Sequence, residues 1–165
     1  MKRFITQRLL RKKIAKRTAR LLSPEKVNSL LYIADENPVH FKEEIQRQFP
    51  HAQISFLYPR KEKNSDAPQG HYDYHNADLN LTGKIKSDKL NEVLRTRFDL
   101  ILDLSDRNPI GDFLFRQLEY GFSIGCSIKD QEEKHDLIIR GSGDELACIH
   151  AANTQLTLLN QHEKK

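Results

Sequence analysis

Several features are scarce in this 165-residue chain, and each scarcity narrows the reading. There are two cysteines, one methionine and no tryptophan. Cys126 and Cys148 lack the paired spacing of a zinc site and are too few for a disulfide framework, so they read as buried thiols in a reducing compartment. No apolar run approaches the ~18 residues of a membrane span; the longest, such as Leu100–Leu104, are strand-sized. The first residues hold no secretory core, because Phe4-Ile5 and Leu9-Leu10 are interrupted by Arg and Lys. The chain therefore reads as cytoplasmic. No glycine-rich dinucleotide fingerprint, Walker motif or Ser-centred nucleophile elbow is present, so no cofactor and no catalytic residue is assigned.

Acidic residues are absent from positions 1–20, which hold nine cations: Lys2, Arg3, Arg8, Arg11, Lys12, Lys13, Lys16, Arg17 and Arg20. The rest carries 18 basic against 23 acidic residues, so a net charge of +4 conceals a domain of net −5 behind a basic arm. Such a split points to an anionic partner for the arm, either nucleic acid or an anionic membrane surface. The plain alternative is a solvated helix that keeps the chain dispersed. An Arg-rich, acid-free start also fits an organellar targeting segment.

What is present reads as one domain. The arm, 1–22, lacks Gly and Pro and favours helix up to Ser23-Pro24. The remainder, 27–165, alternates strand and helix. Strands are expected at Ser29–Ala34, Gln53–Tyr58, somewhere in His71–Asn80, at Asp99–Leu104, Phe122–Cys126 and Asp136–Arg140. Helices are expected after Asn37-Pro38, after Ser87, after Asn108-Pro109 with Gly121 as its terminator, and from near Ser142 to about Gln161. The last would bury Leu146, Ile149, Ala152, Leu156 and Leu159. This pattern predicts an α/β fold, a three-layer α/β/α sandwich with a mostly parallel, Rossmann-like sheet of order 3-2-1-4-5-6, preceded by a basic N-terminal helix.

In such a sheet ligands lie beyond the carboxyl ends of the strands at the switch point. Asp35, Asp103, Ser105 and Arg107 are the candidate pocket residues there. Asp103 is a candidate acid or base, or else an acceptor for a neighbouring loop. His71, Asp73 and His75 alternate and could share a face as metal ligands; packing beside two tyrosines is the simpler account. Arg140-Gly141-Ser142-Gly143-Asp144-Glu145 could offer N–H groups to an anion, but Ser142 and Glu145 have capping-box spacing.

An ordered series of short motifs carries a resemblance. Asp78–Lys86, Phe98–Ser105, Phe122–Gly125 and His135–Ile139 together resemble a family of small cytoplasmic α/β proteins of Bacteroidota, a domain of unknown function. The resemblance runs from about residue 27 onward and implies a fold without an activity. Gln48–Ile54, Phe98–Leu104 and Ile124-Gly125 are similar to the N-terminal half of heptosyltransferase-type glycosyltransferases, which implies a shared fold; Asp35-Glu36-Asn37-Pro38 stands where those enzymes open with glycines. The resulting expectation is a non-enzymatic binding or adaptor protein whose arm contacts RNA or a ribonucleoprotein. A small-ligand protein or enzyme using the switch-point loops, and a peripheral membrane protein anchored by the arm, are the alternatives.

Overall fold

A computed structural model describes residues 19–80, 82–106, 108–126, 134–140 and 144–163. Six strands form one sheet: β1 (Ser29–Ile33), β2 (Gln53–Pro59), β3 (His71–Tyr74), β4 (Arg97–Asp103), β5 (Glu119–Cys126) and β6 (Leu137–Ile139). Four α-helices accompany them among the described residues: α1 (Lys42–Gln48), α2 (Asp88–Arg95), α3 (Pro109–Phe115) and α4 (Glu145–Glu163). The order is β3-β2-β1-β4-β5-β6 and every pairing is parallel. The α/β sandwich and its strand order are as the alternation of elements implied.

A parallel sheet must be covered on both faces, because the crossover helices lie on them. Side chains alternate along β1 accordingly. Leu30 and Tyr32 join Ile45, Phe49, Phe56, Leu102, Ile149 and Leu156 in a core against α1 and α4. Leu31 and Ile33 join Leu57, Leu90, Val93, Ile101, Leu114 and Phe115 in a second core against α2 and α3. At ~1.5–3 kcal/mol for each large apolar side chain taken out of water, these two layers dominate folding.

The helix starts are explained by their caps. The Ser87 hydroxyl accepts the Leu90 N–H at 3.3 Å, and Asn108 Oδ1 accepts those of Ile110 and Gly111 at 3.1 and 2.8 Å. At Asn37-Pro38 a 3₁₀ turn, Val39–Phe41, intervenes before α1.

Four expectations are corrected. Residues 19–22 are not helical: the Arg20 N–H donates to the Gly121 carbonyl at 2.9 Å, a tertiary bond that replaces a helical one. The rest of the expected arm helix, 1–18, lies outside the described residues. Gly121 does not terminate α3, which ends at Phe115; it sits inside β5, where a Cβ would come 2.9 Å from the Asp99 carbonyl oxygen. Its lack of a side chain admits a close backbone approach rather than a turn. Leu146 is not a core residue: it is 42% exposed, one turn before Ile149 engages the sheet. Finally, α4 is begun by Asp144, whose Oδ1 accepts the Leu146 N–H at 3.0 Å and whose carbonyl accepts the Cys148 N–H. Ser142 lies outside the described residues, and Glu145 turns to Tyr32 instead.

Candidate functional site

The crossovers from β1 and β4 leave the sheet toward opposite faces, so the loops after these adjacent strands diverge over a crevice. Ile33 and Asp103 are partners in register, and the Leu104 N–H donates to the Ile33 carbonyl at 2.9 Å. This brings the loop carrying Asp35 beside the loop carrying Ser105.

The side chains there are committed to one another. Asp35 accepts the Asp106 N–H on both carboxylate oxygens, at 3.1 and 3.0 Å, and so ties the two loops together. Asp103 Oδ1 accepts the Ser105 N–H at 3.1 Å and the Ser105 hydroxyl at 2.6 Å. Its Oδ2 lies 3.3 Å from Nε2 of His135, the two side chains being only 1% and 2% exposed. Arg107 lies outside the described residues.

His135 arrives from the approach to β6. Its ring lies over Gly125, where a Cβ would meet the imidazole at 2.3 Å, and stands edge-on to Phe115 with centroids 5.2 Å apart. The imidazole thus covers the carboxyl end of β5 where a ligand would otherwise rest. Its part here was not assigned from sequence. The available signal was Gly125, a glycine inside a strand, which often marks a close approach by another group.

The order of the contacts decides their chemistry. In a serine nucleophile relay the imidazole stands between the hydroxyl and the carboxylate. Here the carboxylate stands between them, and the Ser105 proton points at Asp103. The arrangement ties loops together instead of activating an oxygen. Nor is Cys126, at the end of β5, an activated thiol. Burial pushes its pKa up, and a hydrogen bond with Cys148 and the nearby Asp103 charge act in the same direction. Burial also pushes the Tyr32 hydroxyl up, reinforced by Glu145, to which it donates at 2.9 Å.

The histidine–aspartate alternation on β3 resolves differently. His71 and Asp73 are buried strand neighbours, whereas His75 has left the strand and its Nδ1 accepts the Ala77 N–H. Asp73 is held by Arg60 and by the Ser65 hydroxyl. Among the described residues no group of three or more His, Cys, Asp or Glu is placed to hold a metal ion.

His71 packs on Phe56 and Tyr58, and its buried Nδ1 has no hydrogen-bond partner among the described residues. Burial, then Lys42 and Lys89, lower its pKa below the ordinary 6.5. The unfolded chain consequently binds a proton more readily than the folded one in the window just below pH 6.5. Stability is expected to rise with pH through that window and to level off above it. The slope contributed by one proton is at most ~1.4 kcal/mol per pH unit. Urea denaturation of the wild type and His71→Phe across this range checks it; identical pH profiles would remove His71 as the cause.

A comparison with family models matches residues 2–151 to the family described as Family of unknown function (DUF6913). The chain belongs to that family. Comparisons with curated proteins and with solved structures found no match. The family match spans residues of both the arm and the sheet. Of the nine arm cations only Arg20 is described; it is exposed, and its backbone is bonded to β5 at the end of the sheet opposite Asp103. No helix among the described residues is long and apolar enough to cross a membrane.

Proposed function

We propose that this DUF6913 protein is a non-enzymatic binding or adaptor protein of the cytoplasm whose basic arm grips the phosphates of RNA or a ribonucleoprotein. The observation that carries this reading is the density of nine cations, unrelieved by any acid, in the first twenty residues. Lys2, Arg3, Arg8, Arg11, Lys12, Lys13, Lys16, Arg17 and Arg20 are the phosphate contacts. Each phosphate neutralised releases condensed counterions, which gives an affinity that needs no base sequence and falls steeply with salt. The mutual engagement of Asp35, Asp103 and Ser105 favours this reading over a ligand pocket at the switch point.

Replacing Arg8, Arg11, Lys12, Lys13, Lys16 and Arg17 by Glu is expected to abolish RNA binding while leaving the thermal melt within a few degrees of wild type. Fluorescence anisotropy with a labelled RNA, beside a circular-dichroism melt, measures both. Undiminished binding would overturn the proposal.

A further inference from the structure

The end of the sheet to which the arm is attached has an electrostatic character of its own. The strands begin there and the helices end there. Lys26 precedes β1, Arg95 ends α2, Arg97 opens β4, Arg116 follows α3 ahead of β5, and Arg20 is bonded to Gly121 in β5. All five are exposed. None forms an ion pair with a described residue. Arg47, in the last turn of α1, is a sixth cation at this end and pairs with Glu44 at 3.0 Å. Because β1, β4 and β5 are consecutive in the sheet, the five unpaired cations are spread across three adjacent strand starts, a width of about 10 Å at the ~4.8 Å strand spacing.

The acids at this end do not cancel them. Asp99 accepts the N–H groups of Asn28 and Ser29 at 2.9 and 3.3 Å, and Glu92 accepts the Tyr72 hydroxyl at 3.2 Å. Glu25 and Glu119 remain, exposed and in no ion pair with a described residue. Helix geometry accounts for only part of the pattern. A cation in a last turn stabilises the negative end of the helix dipole, which gives Arg47, Arg95 and Arg116 a local reason to be there. Arg97 and Arg20 lie outside the helices and gain nothing from it, and Lys26 ends only the single 3₁₀ turn Pro24–Lys26.

We infer that this base of the sheet is a second, folded half of the nucleic-acid surface, across which the phosphodiester backbone of a duplex lies while the arm grips its flank. The inference rests on the arm reading above. Four of the five unpaired cations are arginines, whose planar forks suit phosphate oxygens better than lysine does. A membrane surface is disfavoured because the described exposed large apolar residues, Val39, Leu146 and Leu158, form no patch here: Val39 and Leu146 are at the opposite end, and Leu158, near the end of α4, is the one such described residue on this side. A cleft of about 460 Å³ also opens here, lined by Pro24, Glu25, Lys26, Arg47, Asn153 and Asn160 among others. No exposed Phe, Tyr or Trp lies at this base among the described residues, which disfavours base stacking as the main contact and makes a duplex backbone the matching partner.

The test uses the full chain. One variant carries Lys26→Gln, Arg95→Gln, Arg97→Gln and Arg116→Gln; a second carries only Lys26→Gln and Arg97→Gln, which touch no α-helix end. Anisotropy is read against salt with a short RNA duplex, a DNA duplex of the same sequence, and vesicles of phosphatidylcholine with phosphatidylglycerol. Removing one phosphate-binding cation lowers the slope of log affinity against log salt by about 0.9. The fourfold variant is expected to bind both duplexes about tenfold more weakly or worse, with a slope shallower by roughly 3.6. The twofold variant is expected to show about half of that effect, with an unchanged melt. Equal weakening on RNA and DNA marks the shared backbone as the ligand. Wild-type affinity and slope in both variants would overturn the inference while leaving the arm reading intact. Weakened binding in these variants alongside undiminished binding by the arm variant would instead retire the arm and keep the base. Wild-type protein that binds vesicles and neither duplex would overturn both.

Discussion

Replacing Arg60 by Met is expected to destabilise the protein by about 3–5 kcal/mol, the scale for removing one partner from a buried charge network. The guanidinium is only 10% exposed and makes five hydrogen bonds. Two of them form a fork on Asp78, at 2.7 and 2.9 Å; the others go to the Asp73 carboxylate, the Asp73 carbonyl and the Lys63 carbonyl. Asp78 also accepts the His75 N–H, and Asp73 the Ser65 hydroxyl, so one cation fixes the loop after β2, the edge strand β3 and the turn beyond it. The hydrogen bonds to Asp78, and the charges of Asp78 and Asp73, raise the guanidinium pKa further, so it stays charged throughout. Methionine fills much of the volume but leaves the buried Asp73 and the largely covered Asp78 carboxylates without this counter-charge. At ~2–4 °C per kcal/mol for a chain of this size the melting temperature should fall by roughly 6–20 °C. Arg60→Lys should recover part of it, because an ammonium cannot reproduce the planar fork. A destabilisation below about 1 kcal/mol in Arg60→Met, of the size seen for surface pairs, would show that the network is dispensable.

That clamp was invisible in the sequence, where residues 60–70 are almost uniformly polar. Polarity told the truth about most of the segment and hid Arg60, because its partners stand 13 and 18 positions away. The same distance effect governs the candidate site. The sheet order was legible because buried runs such as Asp99–Leu104 alternate with cap signals such as Ser87 and Asn108-Pro109, and each is a local property. The bond between Asp103 and Ser105 is also local, two residues apart, and was within reach of sequence reasoning as the acceptor alternative. The contact of Asp103 with His135 is not, since it needs β5 to carry a glycine at the one position the imidazole crosses. Gly121 misled for a related reason. A glycine's tolerance of a turn and its tolerance of a crowded backbone look alike in sequence, and only the neighbouring strand separates them. The base of the sheet escaped notice because Lys26, Arg95, Arg97 and Arg116 are scattered along the chain and are gathered only by the parallel topology.

Asp103→Ala is expected to cost about 3 kcal/mol, and the form of the loss bears on what the switch point is for. The carboxylate is nearly fully buried; removing it takes away the acceptor of the Ser105 N–H and hydroxyl and the nearest charge to His135 Nε2. A buried hydrogen bond to a charged group is worth ~1.5–3 kcal/mol, and stranding its donors adds ~1–3 kcal/mol more for each one that water cannot reach. Asp103→Asn is the informative companion. It keeps the shape and one acceptor oxygen, and so should retain the Ser105 contacts at the expense of the charge beside His135. If Asp103 serves as a latch between the loops after β4 and β5, Asn should lose only part of what Ala loses, and both variants should bind a nucleic-acid duplex as tightly as wild type, because the latch lies at the end of the sheet away from the basic base. If Asp103 instead serves a small ligand, Asn should cost little stability and abolish any ligand-induced rise in melting temperature found in a nucleotide and sugar screen. The two roles therefore predict opposite rankings of stability loss against functional loss for the same pair of substitutions. The buried contacts on both oxygens of Asp103 favour the latch.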